Sequence, residues 1–378
     1  MKIAFIGQKG IPARFGGVES HVDHLSRDLA GRGHQVSVYV RNWYTDRSLK
    51  YYQGVRLVHI PTLKTKHLDA SIHSCFCSVH CLFMKTEIIH YQGIGPSFFS
   101  FIPKIFGRKV VSTVHRLDWA TEKWGSAAKF FLKWGEWMSV HLSHRTIAVS
   151  EALQGYIRSA HDKDAVFIPN GIQLSPVRPI RILKEKYGLS ERQFILYLGR
   201  LVPEKRPDLL IQAFLELSRT SEAFRTLKLV IAGGSGGTDD YVRKLKEMGR
   251  ENPDVIFAGY VWGEEKEELL SQGLVFVLPS YLEGNPIALL EAKSYGLCCL
   301  ASDIGPHREM IQPGRNGQLF RSGDGQDLKT KLLELVEHPE EAQRLGKNAR
   351  QDIQKRKTWE EVGKMTLGVY RDILANGR

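Results

Sequence analysis

Short apolar runs alternate with longer segments of helical periodicity along the first half of the chain. Apolar residues at helical spacing cover 18–34, 69–84 and 126–143. The β-rich runs around them read KIAFIG (2–7), QVSVYV (35–40), EIIHYQG (87–93), KVVSTVH (109–115), RTIAVS (145–150) and AVFIPNG (165–171). Alternation of strand and helix predicts a parallel, doubly wound sheet in this half.

The second half repeats the alternation. Its predicted strands are FILYLGR (194–200), LKLVIAGG (227–234), DVIFAGY (254–260), LVFVLPS (274–280) and LCCLASD (297–303). Its predicted helices lie near 207–219, 239–251, 263–271, 286–295 and 327–336. We therefore predict an α/β protein with two Rossmann-like domains facing each other across a cleft. The ligand would lie between the carboxyl ends of both sheets.

The prolines of SPVRPIR (175–181) interrupt the pattern and mark the boundary between the halves. This boundary predicts a first domain of residues 1–178 and a second of residues 179–357. An amphipathic helix, in residues 358–378, follows the second sheet.

Positive charge is concentrated in the first half. Residues 1–180 hold 23 Lys and Arg against 12 Asp and Glu, a net charge of +11, whereas the rest of the 378 residues holds 30 against 29. A basic half joined to a neutral half predicts an anionic partner for the first, such as lipid headgroups, a phosphorylated acceptor or nucleic acid.

Cysteine usage and hydropathy point to the cytoplasm. No stretch approaches the roughly 18 apolar residues of a membrane span, and MKIAFIG (1–7) reads as a buried strand rather than a signal peptide. The odd count of five cysteines argues against a disulfide framework. We predict a cytoplasmic protein, with a peripheral position on the inner face of the membrane as an option.

Two familiar nucleotide sites are disfavoured. The loop GQKGIPARFGG (7–17) departs from G-x-G-x-x-G, and the second strand ends in Arg41 and Asn42 without an acid for a ribose, which argues against NAD. The glycine-rich GGSGGTDD (233–240) lacks the Gly-Lys-Ser/Thr of a P-loop, which argues against ATP hydrolysis.

A diphosphate remains the favoured ligand. Arg200 and Lys205 share one strand-to-helix loop and could place two cations over one anionic group, although an exposed charged loop is the plain alternative. In EGNPIALLEA (283–292), Pro286 suits a first helical turn, so the nearby amides form an anion site. FGGVE (15–19) offers a second glycine-rich helix start.

These residues resemble the retaining family 4 glycosyltransferases of the GT-B fold, over essentially the whole chain. The motifs that carry the resemblance are IPNGI (168–172), LGRLVPEK (198–205), EGNPIALLEA (283–292, the family's E-x7-E) and SDIGPHREMI (302–311). The opening IGQKGIPARFGGVESHVDHLS (6–26) resembles a bacterial subgroup, often rhamnosyltransferase-like, in surface-polysaccharide assembly.

The resemblance implies a nucleotide-sugar donor in the second domain and a glycan or lipid-linked acceptor in the first. It also implies that the last helix, in residues 358–378, crosses back to the first domain. Arg200 and Lys205 would bind the donor diphosphate, Glu283 the transferred sugar and Glu291 the ribose, with His115 beside the sugar. Glu283, His115, Arg200 and Lys205 would be the catalytic residues. Further donor contacts would come from Gly16, Gly17, Gly234, Tyr260, Gly284, Asn285, Pro286 and Ile287.

Two positions depart from the family. Arg116 follows His115 where Asp or Gly is common, and a neighbouring cation favours a neutral histidine that hydrogen-bonds rather than transfers protons. Asn285 replaces a common aromatic or small residue. Because neither Glu283 nor Glu291 is an obvious nucleophile, we hypothesise a front-face transfer in which the leaving phosphate deprotonates the acceptor.

No metal and no resident cofactor are expected, since GT-B enzymes typically use protein groups where others use a metal. DKD (162–164) is interpreted as a solvated turn rather than a metal site. HSCFCSVHC (73–81) suggests zinc, but its helical setting separates Cys75 from Cys77 and Cys81 and favours core side chains.

The aromatic-basic segment WATEKWGSAAKFFLKWGEW (119–137) leaves two readings open. It is either an ordinary amphipathic helix packed on the sheet or an interfacial helix resting on an anionic membrane.

Two other functions also stay open: a sugar-nucleotide 2-epimerase on the same fold, and a basic nucleic-acid-binding protein, for which no recognition motif is present. The donor sugar, the nucleotide, the acceptor and the linkage are not determined by these residues.

Overall fold

The computed structural model describes residues 1–62, 65, 68–122 and 124–375. The chain divides into two compact units, which we call unit 1 and unit 2. Unit 1 is Met1–Gly171 together with Lys357–Arg378, and unit 2 is Ile172–Arg356. Of the segment predicted as the last helix, residues 376–378 lie outside the described part of the chain.

Unit 1 is built on an eight-stranded sheet in the order β3-β4-β2-β1-β5-β6-β7-β8. All neighbouring strands are parallel except β3 and β4. The strands are β1 (Lys2–Ile6), β2 (Gln35–Arg41), β3 (Tyr51–Tyr52), β4 (Val55–Ile60), β5 (Ile88–Gln92), β6 (Lys109–Val114), β7 (Arg145–Ala148) and β8 (Val166–Phe167).

Helices cover both faces of this sheet. They are α1 (Gly17–Gly31), α2 (Asp69–Leu82), α3 (Ile94–Ser97), α4 (Phe101–Ile105), α5 (Ser126–His141), α6 (Glu151–His161) and the last helix of the chain, α15 (Trp359–Ala375). Successive residues of a strand point to opposite faces. Ile3 and Phe5 of β1 pack in one core cluster with α1 and α15, whereas Ala4 and Ile6 pack in another with α2.

Unit 2 has a six-stranded parallel sheet in the order β11-β10-β9-β12-β13-β14. The strands are β9 (Phe194–Leu198), β10 (Lys228–Ala232), β11 (Val255–Gly259), β12 (Val275–Leu278), β13 (Cys298–Ser302) and β14 (Gln318–Phe320). The helices are α7 (Ile182–Tyr187), α8 (Pro207–Thr220), α9 (Asp239–Gly249), α10 (Gly263–Gln272), α11 (Ile287–Ser294), α12 (Gly305–Arg308), α13 (Gly325–Glu337) and α14 (Pro339–Ile353). Two parallel sheets with helices on their faces confirm the predicted α/β class.

Several elements of the fold differ from the sequence prediction. The elements that were not predicted are the strands β3, β4 and β14 and the helices α3, α4, α6, α7, α12 and α14. The predicted strand 165–171 is reduced to Val166–Phe167, because Pro169 cannot donate to a sheet ladder. Among the described residues, no helix has the length and apolar character needed to cross a membrane.

Candidate active site

The loop after β9 sends its two predicted cations in different directions. Because β9 lies between β10 and β12, this loop can reach the loops that follow either neighbour. Arg200 reaches the β10 side, where a Cβ built on Gly236 would lie 3.5 Å from its Nη1 atom. Lys205 reaches the β12 side, where its Nζ atom lies 2.6 Å from Oε1 of Glu283. The carboxyl edge of the sheet therefore presents both cations.

Lys205 and Glu283 form a largely buried ion pair. Ser280 donates a second hydrogen bond to Oε1 of Glu283, over 2.8 Å. Burial raises the pKa of the Glu283 carboxyl, but the Lys205 ammonium, together with His307 and the Ser280 hydroxyl, outweighs this effect and the pKa lies below its ordinary value. Glu283 is consequently ionised at neutral pH and can accept hydrogen bonds but cannot act as an acid.

The segment after Glu283 forms a tight entry into α11. Gly284 and Asn285 are buried, and Pro286 is the N-cap of a helix that begins at Ile287. The first amides of a helix have no partner within it, and the helix dipole makes this end attractive to anions. These backbone groups come directly after Glu283 in the chain.

Glu291 lies about one turn further along α11 and has a partner that the sequence did not indicate. Its Oε1 atom is 2.7 Å from Nζ of Lys266 on α10, and both side chains are partly exposed. The pair fixes the direction of the Glu291 carboxylate on the helix surface. Lys266 is surrounded by glutamates in the sequence, so no motif marked it.

Gly234 and Tyr260, predicted near the nucleotide base, lie against each other. A Cβ built on Gly234 would fall 2.4 Å from the Tyr260 ring, and the Tyr260 hydroxyl donates to the Ser235 carbonyl over 3.0 Å. Gly233 is equally restricted, because its φ is +140° and a Cβ there would meet the Gly199 carbonyl oxygen at 1.8 Å. The glycine-rich stretch is thus required for close packing between the loops after β9, β10 and β11.

His307 is a buried neighbour of this site that was not among the predicted residues. Its Nδ1 atom lies 2.7 Å from the Ser302 carbonyl oxygen, which fixes the proton on Nδ1. Burial lowers the pKa of His307, although the Glu283 carboxylate opposes the shift. The only signal in the sequence was its position in SDIGPHREMI.

In unit 1, the predicted glycines form the start of α1. Gly16 is the N-cap with φ +102°, and a Cβ there would lie 1.9 Å from a carboxylate oxygen of Glu19. Glu19 folds back to accept the Lys9 amide over 3.0 Å. A Cβ on Gly17 would meet nothing within 4 Å, so the first turn of α1 is open on that side.

His115 directly follows β6 and belongs to a group of buried and partly buried histidines. Its Nε2 atom lies 2.9 Å from Oε1 of Gln92, which ends the neighbouring strand β5. The ring of His21 meets it edge-on with a centroid distance of 4.9 Å, and Nδ1 of His21 is 2.8 Å from Oδ1 of Asn170. Gln92 and His21 stood in quoted motifs, but only the fold shows their contact with His115.

These histidines are neutral. Burial lowers the pKa of His115 well below its ordinary value, with smaller contributions from His21 and His90. The sequence analysis attributed the same state to Arg116, but Arg116 pairs with Asp118 over 2.7 Å. The cause is therefore burial rather than a neighbouring cation.

The two metal candidates have other partners. Asp164 of the DKD turn pairs with Arg158 over 2.6 Å, and Asp162 is the left-handed C-cap of α6. On α2, Cys81 donates to the Tyr39 hydroxyl over 3.0 Å, and Cys77 is buried near His73. Across residues 1–62, 65, 68–122 and 124–375, no group of three or more His, Cys, Asp and Glu side chains could hold a metal ion.

Comparison with known proteins matches both halves of the chain. A family model described as Glycosyltransferase Family 4 matches residues 15–176, and one described as Glycosyl transferases group 1 matches residues 180–352. An uncharacterized glycosyltransferase of Methanocaldococcus jannaschii is 24% identical, over 98% of this chain and 98% of the relative.

Solved structures share the fold. Sucrose-phosphate synthase from Thermosynechococcus elongatus superposes with a TM-score of 0.82 at 21% identity, covering 99% of each chain. HepE of Anabaena, solved in complex with UDP-glucose, superposes with a TM-score of 0.80 at 18% identity, covering 100% of each chain. The sheets and helices described above are therefore those of a GT-B protein.

Proposed function

We propose that this chain, a family 4, group 1 glycosyltransferase with the GT-B fold that uses a nucleotide-sugar donor, transfers a hexosyl or deoxyhexosyl group with retention and without a metal ion. The acceptor that we propose is a glycan or lipid-linked sugar of cell-surface polysaccharide. Support for this acceptor comes from the rhamnosyltransferase-like opening segment (6–26) and from the basic charge of unit 1. The glycosyltransferase assignment takes precedence over the epimerase and nucleic-acid alternatives.

The observation that carries the proposal is the Lys205–Glu283 pair at the carboxyl edge of unit 2. A lysine ammonium has three N–H groups, so Lys205 can hold Glu283 and donate to a phosphate oxygen at once. Arg200 and the first amides of α11 add donors for the same diphosphate. Charge that develops on a leaving diphosphate is stabilised by such preorganised donors.

The ionised state of Glu283 defines its role in this mechanism. A carboxylate held by Lys205 and Ser280 can accept hydrogen bonds from sugar hydroxyls, and these bonds strengthen as the sugar gains oxocarbenium character. In the front-face step, the bond from the anomeric carbon to the diphosphate breaks and the acceptor oxygen attacks from the same side. The departing phosphate oxygen takes the acceptor proton. His115, neutral through burial, acts as a hydrogen-bonding group for a substrate hydroxyl.

A thermal-shift panel of UDP-, GDP-, dTDP- and ADP-sugars tests the donor class. The matching donor should raise the melting temperature, since ligand at 100 times its Kd adds about 3 kcal/mol to the free energy of unfolding. We expect the shift and the turnover to survive a chelator such as EDTA. Product formed from donor alone, other than simple hydrolysis, would instead support the epimerase, and loss of turnover with EDTA would refute metal independence.

Replacing Glu291 with Ala should weaken donor binding with little effect on turnover. The carboxylate pairs with Lys266 on the surface of α11 and is not part of the Lys205–Glu283 pair that we assign to the chemistry. Loss of one hydrogen bond between a charged group and a ribose hydroxyl corresponds to roughly 1.5–3 kcal/mol, or about a 10- to 150-fold rise in donor KM. Steady-state kinetics would measure the split, with Glu334→Ala, an exposed glutamate on α13, as the matched control.

We also propose a cytoplasmic enzyme that works at the inner face of a membrane. The five cysteines are free thiols, as expected of a reducing compartment. A lipid-linked acceptor would bring the enzyme to the bilayer surface. Fractionation of cells that express the tagged chain would test this: recovery in the periplasm or medium would contradict it.

A further inference from the structure

The helix α2 carries its bulky apolar side chains on the outside. Its inner face holds small and polar residues, among them Ser78, which hydrogen-bonds Tyr91 over 2.6 Å. Phe76 and Val79 are exposed, and Phe83 at the C-cap is 82% exposed. A helix that served only to pack on the sheet would show the reverse pattern.

The helix α5 has the same reversed character. Gly135 on its inner face lies so close to α3 that a Cβ would meet the Ile94 carbonyl oxygen at 2.2 Å. The buried Glu136 beside it holds His161 over 2.6 Å. The outer face carries Phe130, Trp134 and Trp137 at helical spacing, and the rings of adjacent members lie about 6 Å apart by centroid (6.1 and 5.9 Å). The aromatic residues of segment 119–137 therefore do not all pack on the sheet.

These helices lie on one side of unit 1. The short 3₁₀ turn Phe98–Ser100 contacts both α2 and α5, and α4 contacts α2. Ile105 and Phe106, at the end of α4, are also exposed. Of thirteen exposed large apolar side chains among the described residues, eight are on this side. They form what we call the aromatic face: Phe76, Val79, Phe83, Ile105, Phe106, Phe130, Trp134 and Trp137.

The charges around the aromatic face are predominantly positive. Cations on or next to its helices are Lys85, Lys104, Lys109, Lys129, Lys133 and Arg145. Of the five carboxylates between residues 69 and 145, Asp69 and Asp118 are paired with arginines and Glu136 is buried. Of these five, Glu87 and Glu122 remain to oppose the cations, and Glu87 accepts the Lys2 amide.

We propose that the aromatic face docks on an anionic lipid bilayer, with its Trp and Phe side chains in the interfacial region and its lysines against the headgroups. Aromatic residues favour the boundary between water and hydrocarbon. Each Lys or Arg held near an anionic surface adds to the attraction. Exposed apolar patches of this kind otherwise mark protein interfaces. The positive charge around the aromatic face is what distinguishes a lipid partner from a protein partner. A symmetric pair of copies would oppose two cationic faces, whereas anionic lipid complements them.

The lipid-linked acceptor of the proposed function is the reason for the enzyme to dock on a bilayer, so this proposal rests on that function. Docking itself requires neither donor nor acceptor. Vesicle binding measured without substrates therefore succeeds or fails independently of the donor panel, and the two results distinguish a wrong surface from a wrong reaction.

Co-sedimentation with two kinds of vesicle tests the proposal. One kind is pure phosphatidylcholine, and the other contains phosphatidylcholine and phosphatidylglycerol at about 7:3. We expect binding to the anionic vesicles at least about tenfold tighter than to the neutral ones, with a marked loss in about 0.5 M salt. Equal binding to both vesicles, or no binding to either, would overturn the proposal.

Two variants separate the apolar from the charged contribution. Serine in place of Phe130, Trp134 and Trp137 should reduce binding to anionic vesicles at least about tenfold. Lys129→Glu with Lys133→Glu should remove the preference for anionic lipid. Tyr51→Ser, an exposed aromatic on β3, is the matched control for the first variant. Lys244→Glu with Lys246→Glu, on the exposed surface of α9, is the control for the second.

Each variant changes side chains that are exposed or at the surface, so unaltered melting temperatures and donor-induced shifts should accompany the loss of binding. Wild-type binding by the triple-serine variant would overturn the proposal. Sedimentation that finds a wild-type dimer and a monomeric triple-serine variant would also overturn it, and would assign the aromatic face to a second copy of the chain.

Discussion

Glu283→Gln is expected to lower kcat by about 100-fold or more while leaving the donor-induced thermal shift largely in place. Loss of the negative charge weakens the hydrogen bonds to the sugar that strengthen in the transition state, and removal of a single such group typically costs 10²–10³ in kcat. It also releases Lys205, whose ammonium is held 2.6 Å from the carboxylate. Steady-state kinetics with the donor found in the panel would measure the effect.

The variant also leaves a buried ammonium without its anion, which destabilises a protein by up to about 3–5 kcal/mol. Kinetics must therefore be recorded well below the melting temperature of the variant. Glu268→Gln supplies the matched control, because Glu268 is a buried carboxylate that accepts the amides of Arg181, Ile182 and Leu183 at the start of α7. It should lose stability with kcat unchanged. A normal kcat in Glu283→Gln would remove Glu283 from the mechanism.

The strand and helix pattern predicted the fold class because buried parallel strands are short, apolar and separated by helices of regular period. β1, β2, β5 and β6 follow such runs closely. β4 escaped prediction because Arg56 and His59 interrupt its apolar residues, and its place beside β2 comes from tertiary pairing. The local sequence of a strand does not determine which other strand will pair with it.

Only those parts of the candidate site that lie within one sequence motif were predictable. E-x7-E predicted Glu283 before a helix and Glu291 upon it, which is the arrangement in the structure. The partners were not predictable, because Lys205 and Lys266 are 78 and 25 residues away from them in sequence. The same holds for His21 and His115, which come from α1 and from the residue after β6. Contacts between separate elements depend on the packed fold rather than on spacing within a motif.

The buried histidines lead to the other large expected effect, a loss of stability in acid. His21 and His73 are buried in unit 1, and burial lowers the pKa of each to about 4. Burial lowers the pKa of His90 and His115 well below the ordinary value. An unfolded chain protonates these groups near pH 6.5, whereas the folded chain does not. Their contribution is therefore complete above pH 6.5 and is lost as the pH falls from 6.5 towards 4.

pH 5 lies about 1.5 pH units below the histidine pKa of the unfolded chain. Protonation there stabilises the unfolded state by on the order of 2 kcal/mol per histidine. His21 and His73 together would then cost unit 1 on the order of 4 kcal/mol, a large share of a typical domain's 5–15 kcal/mol. Urea unfolding at pH 7 and pH 5 would measure the loss through tryptophan fluorescence. Trp262 is the one tryptophan of unit 2, so a Trp262→Phe background reports on unit 1 alone.

His73→Gln in that background should reduce the loss between pH 7 and pH 5 by roughly 2 kcal/mol, because glutamine does not titrate. His73 is chosen because it lies on the inner face of α2, outside the site, where its ring contacts Cys77. His338→Gln, which removes an exposed histidine of unit 2, should leave the loss unchanged. An equal loss in both variants would mean that carboxylates rather than buried histidines govern the acid response. A smaller loss in His73→Gln alone would show that unit 1 must keep its histidines neutral to stay folded, the same state in which His115 can serve as a hydrogen-bonding group.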